Sequence, residues 1–348
     1  MYIYIIPTTT TRIHDQVASY GICKIVPPSE WNPPCQITFE NIKKFPTKHQ
    51  YIHKLQEGKG FDDGKKYNLT QYKAMADNFF YKWCKKHHPD KIDQKDDIEI
   101  ELYDLAKDYW DMVETQKKNG HVEYASDLDT IVYNSGFLKK DQINEVKKHE
   151  DNSSSNDVFN DEYYANTPWN LNNLPTAKGS VLQYLRTPIN GINVPWLYIG
   201  MLFATFCWHN EDNYLYSINY NHFGAVKQWY GVPGSSAEHF EKVSRSFLLG
   251  LFRESPDLLQ HMTTQISPSL LYANGVPVYQ LTQEAKTFIV TFPKAFHAGF
   301  SYGVRNESSI MNKIIIYHHD IYVSLTINIS PIYLSIYLSM YSLIVEKL

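Results

Sequence analysis

Residues 196–233, WLYIGMLFATFCWHNEDNYLYSINYNHFGAVKQWYGVP, string together short β-branched and aromatic runs separated by turn residues, and they place His209 and Glu211 two positions apart in β-type sequence. Residues two apart on a strand share a face. A second isolated histidine, His297, lies in another strand-like run, TFPKAFHAGF (residues 291–300). Two neutral imidazoles and one carboxylate meeting from neighbouring strands make the triad that holds Fe(II) on one side and leaves positions open for a cosubstrate and O₂. By itself an H-x-E pair is more often an ordinary strand pair than a metal site, so its surroundings decide the reading.

Working outward, an anionic cosubstrate beside the metal needs polar or cationic partners, and Ser217, Asn219 and Lys227 follow within the next turns of sequence. Ser217 and Asn219 share a face of YLYSINY (residues 214–220). A lysine inside a largely apolar barrel requires a carboxylate partner, because an uncompensated buried charge is costly; on the surface it would simply be solvated. Further strand-like runs recur on both sides: SVLQYL (180–185), KQWYGVP (227–233), VPVYQL (276–281) and TFIVTFP (287–293), interrupted by a helical stretch, SAEHFEKVSRSFLLGLF (236–252). The whole run WLYIGMLFATFCWH (196–209) is also strand-like. Many short strands at this spacing imply an antiparallel barrel or double-sheet jelly roll. The expected fold class is therefore α+β: a double-stranded β-helix of the cupin type with flanking helices.

Upstream, Leu69, Tyr72, Met75, Phe79 and Phe80 recur at helical spacing, as do Leu102, Leu105, Tyr109 and Val113, which predicts two amphipathic helices with buried aromatic faces. Residues 20–35, YGICKIVPPSEWNPPC, read as a strand entering a rigid extended segment. Lys139–Asp161 is polar and charged and reads as a linker. These features divide the chain into an N-terminal segment (1–45), a connecting region (46–160), a barrel (161–303) and a divergent tail (304–348).

With 348 residues, 43% of them hydrophobic, the chain can bury a large core. A net charge of −4 and a pI near 6.4 provide no basic footprint for strong direct nucleic-acid binding. Four scattered cysteines, Cys23, Cys35, Cys84 and Cys207, suggest neither a disulfide framework nor a cysteine-based zinc site. The N-terminus has no basic leader, which points away from secretion. Ile321–Val345 contains no charged residue and is long enough to cross a bilayer, but Ser, Thr, Asn and Pro331 dilute it, which argues against a membrane anchor.

Residues 194–234 resemble the heart of a Jumonji-C histone lysine demethylase, and residues 20–35 resemble the Jumonji-N segment that packs against it. The resemblance continues through GFDDGKKYNLTQYKAMADNFF (60–80), HVEYASDLD (121–129), NTPWNLNNLP (166–175), the run from Ser255 to Gln283, and TFPKAFHAGF. It is strongest to the JARID subgroup, which acts on lysine 4 of histone H3. The resemblance implies a nuclear Fe(II)- and 2-oxoglutarate-dependent dioxygenase, with a methylated histone H3 tail as substrate and chromatin complexes as partners. Its iron ligands would be His209, Glu211 and His297. Tyr124 and Lys227 would hold the distal carboxylate of 2-oxoglutarate, with Ser217 and Asn219 nearby. Phe206 and Trp229 would wall the pocket, although both also fit simple barrel core. Tyr198 would line the methyl-lysine channel.

Two other readings compete: a Jumonji hydroxylase acting on a different protein side chain, and a degenerate Jumonji protein that binds chromatin partners without turnover. The first would give a hydroxylated product without formaldehyde. The second draws on the tail, where Ser301 replaces an asparagine of the family pattern and the correspondence ends after Gly303. The barrel's final strand, expected beside His297, would then be missing; Ile310–Tyr317 is β-branched enough to replace it. His318 and His319 are adjacent, so on a strand they would point opposite ways, which disfavours a second metal site.

Overall fold

Tyr216–Phe223 and Lys227–Val232 are buried along nearly their whole length, as expected of strands covered on both faces rather than on one. They belong to opposite layers of the fold. The computed structural model describes residues 17–93, 98–143 and 159–303, together with the backbone of four further strands. In chain order the strands are β1 (Ile3–Ile5), β2 (Ile22–Ile25), β3 (Phe45–Tyr51), β4 (Asp62–Tyr67), β5 (His121–Asp129), β6 (Trp196–Gly200), β7 (Thr205–His209) and β8 (Tyr216–Phe223). They continue with β9 (Lys227–Val232), β10 (Tyr279–Gln283), β11 (Phe288–Thr291), β12 (Phe296–Ser301), β13 (Ser309–Ile316), β14 (Leu325–Ile327) and β15 (Glu346–Lys347).

One sheet has the order β2-β11-β8-β13-β6-β5-β3-β4, the other β15-β10-β9-β12-β7, and β1 pairs with β14 separately. All these pairings are antiparallel. Ile22 and Ile289 of the larger sheet meet Trp229, Leu281 and Phe206 of the smaller one in a cluster between the layers. This is the expected cupin-like α+β architecture.

The two predicted helices are present as α1 (Leu69–His87) and α2 (Leu102–Thr115). Asn68 and Gln71 form a reciprocal capping box that satisfies backbone donors at the start of α1. The α2 helix backs the smaller sheet: the Tyr109 ring stacks on Phe300 at 3.9 Å, its hydroxyl lies 3.0 Å from that of Thr205, and Trp110 donates to the Tyr230 hydroxyl at 2.8 Å. These contacts fix β7 and β12, the strands that carry the histidines. The downstream helical stretch forms α3 (Ala237–Phe247) and a short second helix, Leu249–Glu254.

Several expectations need correction. SVLQYL is not a strand: Val181–Tyr184 forms a 3-10 helix whose start is capped by the Ser180 hydroxyl. Nor is residues 196–209 one continuous strand, because the chain leaves β6 and crosses to the other sheet before β7, with Phe203 at a φ of 65°. The final strand does not flank His297 either. In the jelly roll β12 already lies between β9 and β7, and β13 enters the opposite sheet between β8 and β6. The surrogate strand expected at Ile310–Tyr317 is thus present in backbone pairing, at that different place.

β2 pairs with β11, and the Trp31 ring packs against Tyr164, Tyr220 and Phe288, so the N-terminal segment is joined to the barrel sheet. β5, from the connecting region, pairs with β6 of the barrel. Residues 144–158 of the polar linker, most of the tail, and His318 and His319 lie outside the described residues.

Candidate active site

His209 ends β7, and His297 on β12 is its direct cross-strand partner. The two rings lie 4.2 Å apart at 52°. Glu211 lies beyond the strand, but its backbone stays extended (φ −74°, ψ 152°), and this returns the side chain to the side of His209. Its Oε1 is 3.2 Å from Nε2 of His297. Among the described residues these three form the cluster able to offer a metal one atom each, with all three atoms within 4.8 Å of one another. His209, Glu211 and His297 are 8%, 7% and 1% exposed.

Each imidazole is oriented by its own strand. His209 Nδ1 is 2.7 Å from the Cys207 carbonyl oxygen, and His297 Nδ1 is 3.3 Å from that of Ala295. A proton on Nδ1 donated to those carbonyls leaves both Nε2 lone pairs for a ligand, the arrangement that metal-binding histidines adopt. Two neutral nitrogens and one carboxylate oxygen suit a divalent first-row metal such as Fe(II).

Beside this triad lies the Lys227 ammonium, in a residue 3% exposed at the start of β9. It donates to the Tyr124 hydroxyl at 3.3 Å, and the rings of Phe206, Trp229, Tyr124 and Tyr198 surround it at 4.4, 5.6, 5.7 and 5.9 Å. Such rings present their negative faces to a cation. Phe206 lies 6.4 Å from each histidine ring, and Trp229 is near-parallel to His297 at 6.1 Å. Gly299 on β12 makes room for this packing, since a Cβ there would fall 2.6 Å from the Phe206 ring. Burial, and secondarily the charge of Asp127, raises the pKa of Tyr124 and of Tyr198, so both phenols remain protonated donors.

His209, Glu211, His297, Phe206, Trp229, Lys227, Tyr124 and Tyr198 are therefore linked by contacts. Ser217 and Asn219 are buried on β8, and the Ser217 hydroxyl pairs with that of Thr291 at 2.6 Å. Asn219 joins the group only through its backbone carbonyl, which accepts from the Gln283 amide at 3.4 Å; the Gln283 side chain also accepts from the Trp229 indole at 2.9 Å. Gln283 and Asp127, which accepts from the Tyr198 hydroxyl at 2.8 Å, were not singled out in the sequence. Asp127 lies within the motif that yields Tyr124; Gln283 carries no comparable signal.

Residues 196–310 match the family model for the JmjC domain, described as a hydroxylase. Residues 196–310 thus carry a JmjC domain. The match runs past Gly303 into β13. Relatives named as lysine-specific demethylases align over most of this chain. Lysine-specific demethylase JMJ703 of Oryza sativa subsp. japonica is 38% identical, over 84% of this chain and 25% of the relative. Lysine-specific demethylase JMJ17 of Arabidopsis thaliana is 43% identical, over 73% and 20% respectively. Lysine-specific demethylase 5B of Gallus gallus is 38% identical, over 73% and 15%. The chain spans about a quarter or less of the length of these relatives.

Proposed function

We propose that the chain is an Fe(II)- and 2-oxoglutarate-dependent lysine demethylase acting in the nucleus on methylated histone H3, with lysine 4 as the target. The observation that carries this reading is the buried His209–Glu211–His297 cluster next to the Lys227–Tyr124 pair. The donor set fits Fe(II), which when bound would activate O₂, so that one oxygen atom hydroxylates an N-methyl group and the other enters the succinate formed as 2-oxoglutarate loses CO₂; the hydroxylated product then loses formaldehyde. His209, Glu211 and His297 would hold the ion. Lys227 and Tyr124 present an ammonium and a phenol 3.3 Å apart, a fit for the two oxygens of the distal carboxylate of 2-oxoglutarate. Phe206 and Trp229 exclude water around that carboxylate, and Tyr198 offers a ring face to the methylated ammonium. The lysine-demethylase names of the relatives support this substrate class over a hydroxylase acting on another side chain.

Lys227→Met tests the cosubstrate assignment because it keeps the packing and removes the charge. The apparent KM for 2-oxoglutarate should rise at least about tenfold, the scale of a lost charge-assisted hydrogen bond. Thermal stability should hold or increase, since replacing a buried charge with an apolar group of similar size is commonly neutral or favourable. A variant with an unchanged 2-oxoglutarate KM would remove Lys227 from the cosubstrate site.

A further inference from the structure

The ladder between β5 and β6 pairs Ala125 with Ile199 and Leu128 with Leu197, so Ser126 and Asp127 together face the single residue Tyr198. This is a β-bulge: one extra residue in a strand, which turns a side chain away from its regular alternation. At the bulge Asp127 takes a φ of 55°, a left-handed conformation that few residues other than glycine adopt, although aspartate is among the more tolerant. The bulge yields one contact. The exposed Asp127 carboxylate accepts a 2.8 Å hydrogen bond from the Tyr198 hydroxyl, which is the far end of the ring opposite the bulge. The Tyr198 ring also lies 6.1 Å from the Tyr124 ring and 5.9 Å from the Lys227 ammonium.

We propose that Asp127 is a positioning residue for substrate recognition: the bulge aims its carboxylate at the Tyr198 hydroxyl and so fixes the Tyr198 ring as one wall of the channel for a methylated ammonium side chain. The inference rests on the proposed demethylase function and extends it by naming the group that sets the wall. A tyrosine attached only at its Cα can swing about χ1 and χ2, whereas one held at its hydroxyl as well presents a single face. Methylammonium recognition through ring faces depends on that orientation. The hydrogen bond needs an acceptor and not a charge, which separates positioning from simple attraction of a cation.

The test uses the full chain, a trimethylated histone H3 lysine 4 peptide, and four variants: Asp127→Ala, Asp127→Asn, Tyr198→Phe and the double variant Asp127→Ala/Tyr198→Phe. Asp127→Ala and Tyr198→Phe should each raise the peptide KM about tenfold, as expected for losing a hydrogen bond to a charged group, and leave the 2-oxoglutarate KM unchanged. Asp127→Asn keeps an acceptor and should stay within about threefold of the original chain. The double variant should match the single ones, because both substitutions break the same bond. An Asp127→Ala effect that multiplies with Tyr198→Phe, an equal rise in the 2-oxoglutarate KM, or no effect would each overturn the proposal. Calorimetric titration of the same peptide reads the inference without turnover. A chain that binds the peptide but produces no formaldehyde would refute the demethylase reading, and loss of binding in Asp127→Ala would still decide the positioning role.

Discussion

Burial drives the His222 imidazole pKa from 6.5 down to about 3, against the opposing pull of the Ser135 carbonyl, whose oxygen is 2.9 Å from Nε2. The residue sits on β8 with its ring 4.6 Å from Phe137 and 4.8 Å from Tyr220. Its folded-state pKa lies below the unfolded one, so the unfolded chain takes up a proton that the folded chain refuses. The contribution to stability is complete above about pH 6.5 and declines as pH falls towards about 3. His222→Gln keeps an N–H donor and removes this titration. Urea unfolding at pH 7 and pH 5 should show the drop in stability between the two shrinking by about 2 kcal/mol in the variant. An unchanged drop would mean that His222 is not held neutral. At this scale the His209–Glu211 pair was legible from sequence because an extended backbone brings residues two apart to one side, and it does so even though β7 ends before Glu211; His297 joins them only through the pairing of β12 with β7. Lys227 and Tyr124 lie 103 positions apart, and no spacing rule reaches that far; only resemblance to a known pattern joined them.

Elements were legible where their periodicity was local. The aromatic stripe of α1 and the alternation of β8 follow from the nearest few residues. SVLQYL has strand-like composition yet forms a 3-10 turn, because β propensity is expressed only when a neighbouring strand is there to pair with. The break between β6 and β7 depends on packing. Phe203 takes its positive φ while buried against Trp83, Tyr109 and Phe300, at ring distances of 4.9, 6.1 and 6.5 Å. The Asp127 bulge belongs to the same class, since register across two strands is invisible until both are placed. β13 gives the prediction proper to this scale. It pairs with both β8 and β6, so a chain ended at Gly303 exposes two edges inside the larger sheet. Exposed edges invite association. Light scattering should find that shortened chain aggregated or strongly destabilised; a monomer melting at the temperature of the full chain would show that β13 contributes nothing.

Across the whole molecule, the site is assembled from segments distant in sequence and held by layers that do not touch the chemistry. Tyr124 arrives on β5 from the connecting region, the histidines on β7 and β12, and Lys227 on β9. Behind the smaller sheet, Tyr109 of α2 stacks on Phe300 and bonds to Thr205 and Gln265, fixing the strands that present His209 and His297. Strand β2 of the N-terminal segment extends the larger sheet through β11, which pairs with the β8 segment bearing Ser217 and Asn219. A jelly roll of this kind supports many chemistries, so the function rests on the site and not on the fold. Its decisive test is metal binding measured together with turnover. The full chain should bind one Mn(II), as a redox-stable stand-in for Fe(II), and with Fe(II) should release formaldehyde from methylated histone H3 lysine 4 peptide only when 2-oxoglutarate is present. His209→Ala should lose both; formaldehyde release at the original rate from that variant would contradict the account.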